Sequence, residues 1–449
     1  MKNKLTTKLG PFLDKIKANK KYQAALIIAY IVLTAGSLVL AQKSVIAFLL
    51  LLASLLLLHF TGLSDLKKWL IAGAVLVVIL PVAASRGPAY QSYMEVACFV
   101  GIYVAMALGL NIVVGLAGLL DLGFVAFFAV GAYTYGIFAT GQASKFMPFG
   151  EFPLPGESFW LFLIIGGIAA AIAGVIIGVP VLRVKGDYLA IVTLGFGEII
   201  RIVFNNLDRP VNITNGAMGL ISITPPKIFG FEFMYPSQFY FIVLVILVIT
   251  VFAVRRLEYS KLGRSWKAVR ENEIAAQAMG IPLVRTKLMA FAIGASFSGV
   301  MGVVFAAKQT FVDPTSFTLL ESITILVMVL LGGMGSVPGV ILGAAIMTIL
   351  NLQVLTEFAN WLNQLHLQGI ISIPEALSPA KMQRFIFGAI LIGFALYRPQ
   401  GLLPAKNPVF NLEKLSKNKG KISSMISGAS AGESAATKEA SDNNVHLDG

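Results

Sequence analysis

Side chains that usually carry chemistry are scarce in this chain. One cysteine, Cys98, and three histidines, His59, His366 and His446, are spread over 449 residues. A lone thiol excludes an intrachain disulfide, and imidazoles scattered this widely lack the spacing that gathers ligands round a metal. Charged residues make up only 13%. No Gly-x-x-x-x-Gly-Lys-Ser/Thr run is present, so the chain has no loop of the kind that cradles nucleotide phosphates. The one Gly-x-Ser-x-Gly match, Gly428 to Gly432, falls in a Ser/Ala/Gly/Lys/Glu-rich tail, without the strand and helix that would strain a nucleophile. An ATPase or hydrolase site is therefore not visible, and any active transport must draw on an ion gradient or a partner.

What fills the chain instead is apolar. Hydrophobic residues reach 57% and mean hydropathy is +0.81, far outside the range of soluble domains. Runs long enough to cross about 30 Å of hydrocarbon recur along nearly the whole length. Val45–Leu58 is apolar except for Ser54, which excludes the alternation of a membrane β-barrel. The sequence predicts an all-α, polytopic integral membrane protein. Candidate spans are 24–42, 45–60, 69–85, 92–112, 121–140, 158–182, 188–206, 238–254, 287–309, 317–335, 338–356 and 383–397. Twelve is the upper reading. The runs 92–140 and 188–206 contain Gly, Asn, Asp, Glu and Arg, as broken or re-entrant helices do, so ten or eleven crossings also fit.

Basic residues orient the chain. With both termini cytoplasmic, 26 of the 35 Lys and Arg residues fall on the inner side, including Lys67, Lys68, Arg183, Lys185 and the cluster from Arg255 to Lys287. This positive-inside bias accounts for the net charge of +13 through anionic lipid, without nucleic acid. The basic N-terminus (1–22) precedes a long apolar run with no small-residue cleavage site and reads as an uncleaved anchor. Residues 23–90 form extra N-terminal spans, 91–405 the main transmembrane domain and 406–449 a disordered tail.

The break at 255–286 is the most informative interruption. Its core, SWKAVRENEIAAQAMGI, reads as one short cytoplasmic helix from Trp266 to Met279, capped by Ser265 and stopped by Gly280 and Pro282. Such a helix outside the membrane is a docking element, or a basic amphipathic helix lying on lipid. Within the spans, Glu198 and Arg201 share one helical face and can neutralise each other, as a gate or as a structural ion pair. Two glycine-rich stretches resemble one another, Asn111–Gly123 and Leu331–Gly343, and suggest close helix packing or turns whose amides face a polar ligand. The long loop Asn205–Ser237 is either a partner-docking surface or a passive connection.

Five stretches, in order, carry a resemblance: NIVVGLAGLLDLGFVAFFAVGAY, KGDYLAIVTLGFGEIIRIVFNN, TNGAMGL, AVRENEIAAQAMGIPLVRTKLMAFAIGA and LLGGMGSVPGVILGA. Together they resemble the permease subunit of branched-chain amino-acid ABC importers, the LivM type, from about Val96 to Leu403. The resemblance implies a bacterial inner-membrane importer of leucine, isoleucine and valine. Its partners would be a second LivH-like permease, two cytoplasmic ATP-binding subunits and a periplasmic substrate-binding protein. The chain itself would hold no cofactor, with ATP and magnesium used by the partner subunits. It also implies that Glu273–Gly280 is the coupling segment, with Ala275, Ala276 and Gly280 matching, and Arg270, Glu271 and Glu273 setting register through ion pairs at the rim of an ATPase groove. Residues expected along the pathway are Asn111, Gly115, Gly118, Asp121, Gly123, Thr193, Glu198, Arg201, Gly332, Gly333 and Gly335, with amides near Gly115–Gly123 or Gly332–Gly335 meeting a substrate carboxylate. Permeases of this group also carry urea, short amides or other amino acids. An ion-coupled secondary transporter is the competing class, and a membrane scaffold the third.

Overall fold

A computed structural model describes residues 20–368, apart from 41–44, 60, 62, 86–89, 148, 183 and 185, together with 385, 388–389, 392–393, 396–398 and 400–404. The chain divides into 1–405 and 406–449, and every described residue lies in the first part. The 383–397 span is mostly, and the 1–19 and 406–449 segments wholly, outside the described residues.

The described residues are almost entirely helical. In order they form α1 (Lys20–Leu40), α2 (Val45–His59), α3 (Asp65–Ala74), α4 (Leu80–Ala84), α5 (Tyr90–Leu110), α6 (Val125–Phe138), α7 (Phe159–Val181) and α8 (Asp187–Asn206). The strands β1 (Leu220–Ile221), β2 (Lys227–Ile228) and β3 (Phe231–Glu232) lead into α9 (Pro236–Tyr259), α10 (Lys261–Glu271), α11 (Glu273–Ala278) and α12 (Leu283–Gln309). After β4 (Phe311–Val312) come α13 (Leu319–Gly332), α14 (Val337–Ile349) and α15 (Leu355–Leu367). Wider π turns continue three of these helices, at Val75–Ile79, Asn111–Leu116 and Leu350–Val354.

Nine helical stretches among the described residues are long and apolar enough to cross a membrane: Tyr22–Leu40, Lys67–Ala84, Tyr90–Leu116, Gly156–Val181, Tyr188–Asn206, Pro236–Tyr259, Leu283–Gln309, Pro314–Gly332 and Val337–Leu367. The expected spans 45–60 and 121–140 become shorter helices, α2 of 15 residues and α6 of 14. The chain is a multi-pass membrane protein.

Hydrocarbon offers helices no hydrophobic incentive to associate, so close backbone approach must hold them. Glycine supplies it around α12, the central helix, which packs on α7, α6 and α5. A Cβ on Gly131 of α6 would overlap the Gly299 carbonyl of α12, and one on Gly302 would overlap that of Phe128. Gly174 of α7 seats Ala295 and Phe291 of α12. The hairpin of α13 and α14 closes in the same way, with Gly332 against Gly339 and Gly343. The N-terminal helices join this body through Phe48, stacked on Tyr93 with ring centroids 4.9 Å apart, and through Tyr240, whose hydroxyl donates to the Leu76 carbonyl at 2.9 Å.

Two ends of the bundle are thereby distinguished. At one, α9 and α12 continue into the helical break α10–α11. At the other, β1 pairs antiparallel with β4, Leu220 opposite Val312, and Thr224 donates its N–H to Ala139 at the end of α6. The loop 205–237 lies at this second end. It is tied to the elements beside it: Gln142 donates to the Asn212 carbonyl at 2.9 Å, and Thr214 to the Phe204 carbonyl at 2.7 Å.

Candidate functional site

The charged break folds as two helices, not one. Ser260, not Ser265, caps the first, accepting the Gly263 N–H at 3.2 Å. Ser265 lies inside that helix and donates back to the Lys261 carbonyl. Asn272, extended at φ −160°, ends α10 and starts α11 at once, its side chain accepting the Ala275 N–H at 3.0 Å. Asparagine at a first cap is worth about 1 kcal/mol, enough to divide a short run of good helix formers. Gly280, at φ +82°, then stops α11 in a conformation that suits glycine.

One face of this unit is fastened to the bundle. Trp266 is fully buried and its indole N–H donates to the Thr286 carbonyl at 2.8 Å. Glu273 forms a 2.6 Å ion pair with Lys287, whose side chain is only 8% exposed. Such a pair must stay together, because removing one partner leaves a buried charge uncompensated. Arg270, itself exposed, lies over the end of α5 and donates to the Gly115 carbonyl. Arg270 and Glu273, expected in ion pairs at the rim of an ATPase groove, thus also make contacts within the chain. The opposite face is open, with Glu271 and Ala275 exposed, Ile274 80% and Met279 83% exposed, while Ala276 is buried inward.

Gly115 lies in the π turn Asn111–Leu116 that prolongs α5, a geometry found repeatedly at functional sites. Asn111 is fully buried, and its Oδ1 accepts the Gly335 N–H at 2.8 Å. The two glycine-rich stretches therefore touch. Gly115 has no room for a side chain, since a Cβ would overlap Asn111 Oδ1 and come within 2.5 Å of the Gly335 nitrogen. Gly118, at φ +73°, turns the chain out of the helix directly beneath the Arg270 side chain, 2.8 Å from a notional Cβ. Asp121 is buried, with one carboxylate oxygen accepting the Gly123 N–H at 2.8 Å and the other without a hydrogen-bond partner among the described residues. Thr193 of α8 accepts the Leu122 N–H at 3.0 Å, and Gly123 lies flat against the Thr193 carbonyl.

One junction therefore gathers Asn111, Gly115, Gly118, Asp121, Gly123, Thr193, Gly335 and Arg270. It does not include Glu198 and Arg201, which form a 2.7 Å ion pair on α8 with each side chain about a third exposed (33% and 31%). Gly332 serves helix packing, and Gly333, at φ +111°, lies against the Leu403 carbonyl in the turn after α13. The Gly335 amide, expected to meet a substrate carboxylate, is taken by Asn111. Sequence reasoning missed the roles of Trp266 and Lys287, whose positions, one in the charged break and the other in the first turns of α12, carried no distinguishing signal. It also missed Lys308, buried between Glu95 at 3.1 Å and the Phe99 ring at 4.0 Å, and Tyr103, which donates to Glu321 at 3.3 Å.

A family comparison decides what this architecture belongs to. Residues 92–395 match the family described as branched-chain amino acid transport system / permease component. The chain belongs to that family. It is 37% identical over 370 residues, 77% of either chain, to the high-affinity branched-chain amino acid transport system permease protein LivM of Escherichia coli K12. A probable branched-chain amino acid transport permease protein LivM of Methanocaldococcus jannaschii is 27% identical over 68% of this chain and 91% of its own. The LivH permease of Escherichia coli K12 is more distant, 23% identical over 55% of this chain and 80% of its own. No solved structure matches. The family match covers the junction and the helical break alike, whereas α1 to α4 precede it.

Proposed function

We propose that the chain is a permease subunit of an ATP-driven importer that moves leucine, isoleucine and valine into the cell by alternating access. In this reading it lies in a bacterial inner membrane with both termini cytoplasmic. It pairs with a LivH-like permease, receives substrate from a periplasmic binding protein and is driven by two cytoplasmic ATP-binding subunits, which use the ATP and magnesium. The branched-chain amino acid transport for which its relatives are named supports the cargo.

The observation that carries the reading is the two-faced helical break. Ile274, Ala275 and Met279 point away from the bundle as an apolar knob, the form in which a short helix enters a groove on a partner. Behind it, Trp266, Glu273 and Arg270 join the same unit to α12 and to the π turn of α5. Closure of the ATP-binding subunits would move α10–α11 as one body, and Arg270 would carry that motion to Gly115, where the two glycine stretches meet. Small-residue packing around α12 lets neighbouring helices slide with little change in buried area.

The test is reconstitution of the chain in vesicles with the second permease, both ATP-binding subunits and the binding protein. Labelled leucine should enter only with ATP, and valine should compete. Uptake by this chain alone in a proton or sodium gradient would overturn the proposal in favour of a secondary transporter. Transport of urea or short amides in place of leucine would retain the machine and change its cargo.

A further inference from the structure

A groove of about 700 Å³ opens between α3 and the end of α9, lined by Trp69, Val248, Val251, Phe252, Arg255, Arg256, Tyr259 and Ser260. Its walls are divided by chemistry. Val248, Val251 and Phe252 make an apolar trough along α9, while Arg255 and Arg256 stand at its mouth near the end of that helix, Arg256 in its last turn. Neither guanidinium has a carboxylate or a hydrogen-bond acceptor among the described residues. The neighbouring acid, Glu258, is held by Lys267 at 2.9 Å. What the arginines do have is aromatic support: Arg255 lies 5.5 Å from the Trp69 ring centroid and Arg256 5.8 Å from that of Phe252. Stacking of this kind fixes the plane of a guanidinium and leaves its N–H edge free for a planar pair of acceptor oxygens.

Depth in the membrane selects the occupant. The span Lys67–Ala84 begins beside Trp69, and the span Pro236–Tyr259 ends at Tyr259, so the groove lies where two helices leave the hydrocarbon. Tryptophan and tyrosine favour that level. A soluble phosphate would satisfy the arginines and leave the apolar trough empty, and a zwitterionic phospholipid would fill the trough but bring its own cation against two arginines. We infer that this groove binds an anionic phospholipid, its headgroup phosphate held by Arg255 and Arg256 over Trp69, with an acyl chain along Val248, Val251 and Phe252. The site joins α3, which precedes the family match at residue 92, to the helix that feeds the break at Ser260. The lipid thus clamps the N-terminal helices to the root of α10. This holds whatever cargo the protein carries.

The experiment uses the purified full-length chain, delipidated in neutral detergent, with native mass spectrometry during titration by phosphatidylglycerol, by phosphatidylcholine of the same acyl chains, or by inorganic phosphate. Wild type should retain phosphatidylglycerol in preference to phosphatidylcholine, and millimolar inorganic phosphate should not displace it. Arg255→Gln with Arg256→Gln should weaken phosphatidylglycerol binding about tenfold or more, as expected for losing a charge-assisted contact, and weaken phosphatidylcholine binding less, so that the preference between the two lipids is lost. Trp69→Ala alone should weaken phosphatidylglycerol binding less. Should the double variant fail to fold, quenching of wild-type tryptophan fluorescence by brominated phosphatidylglycerol gives the second measurement, and Trp69→Phe should remove the part of the quenching that brominated phosphatidylcholine does not produce. Equal binding of the two lipids by wild type, undiminished phosphatidylglycerol binding by the double variant, or displacement by inorganic phosphate would each overturn the site.

Discussion

At the scale of single residues, the junction rests on groups that have almost no freedom to be anything else. Arg270 donates to the Gly115 carbonyl from a different part of the chain, and a hydrogen bond from a charged donor contributes about 1.5–3 kcal/mol. Arg270→Ala should leave a folded permease whose partner ATPases still turn over while leucine uptake falls at least several-fold; ATP hydrolysis and uptake measured side by side in vesicles report that ratio. Equal losses of both would place Arg270 in assembly. Glycines divide similarly. Gly123→Ala would set a methyl group into the Thr193 carbonyl, a backbone atom that cannot give way, so its thermal unfolding should collapse or folded yield should vanish. Gly280→Ala meets no atom within 4 Å and costs only the left-handed backbone, about 1–2 kcal/mol, so that variant should purify normally. Both glycine stretches stood out in the sequence as unusual, yet their contact did not, because Asn111 and Gly335 are far apart in the chain and neither has a side-chain pattern that names the other.

At the scale of elements, α10 and α11 act as one piece because both are fastened to α12. Trp266→Ala removes a buried ring and its hydrogen bond, and should cost about 3–5 kcal/mol, visible as a lowered thermal midpoint together with loss of coupling. Ile274→Asp makes the contrasting case. Ile274 is 80% exposed, and exposed substitutions usually change stability by less than about 0.5 kcal/mol, so the variant should remain as stable as wild type yet fail to co-purify with the ATP-binding subunits. Retained co-purification would mean that the knob is not the docking surface. Substitution of Glu273 is a poor probe of docking, since charge reversal there would confront buried Lys287. The sequence made the break itself plain, as a charged segment between apolar runs ending in Gly-x-Pro. Its division at Asn272 was hidden among helix formers, and the contacts of Arg270 with Gly115 and of Glu273 with Lys287 were not legible, because the helix that neighbours a charged segment is not written in its own sequence.

At the scale of the whole molecule, sidedness is the property that can be tested most directly. Cys98 is buried, its thiol donating to the Pro236 carbonyl at 3.3 Å, so a Cys98→Ala background can carry single reporter cysteines at opposite ends of the bundle. Phe229, fully exposed in the turn between β2 and β3, and Ile274 on α11 are suitable positions. In intact cells with the outer membrane made permeable, Phe229→Cys should react with an impermeant maleimide and Ile274→Cys only after the inner membrane is opened; the reverse pattern would invert the proposed topology. Composition and hydropathy determined the fold class, the membrane setting and most span positions by themselves, because hydrocarbon tolerates only long apolar helices and charge collects where those helices emerge. The same periodicity cannot say which helix neighbours which, since nearly every face of an apolar helix looks alike in the sequence. Only the tertiary structure decided that α12 is central, that Arg270 and Glu273 contact Gly115 and Lys287, and that the glycine stretches meet at Asn111. Those outcomes depend on backbone approach and on carbonyls that seek donors, and neither is written in side-chain type.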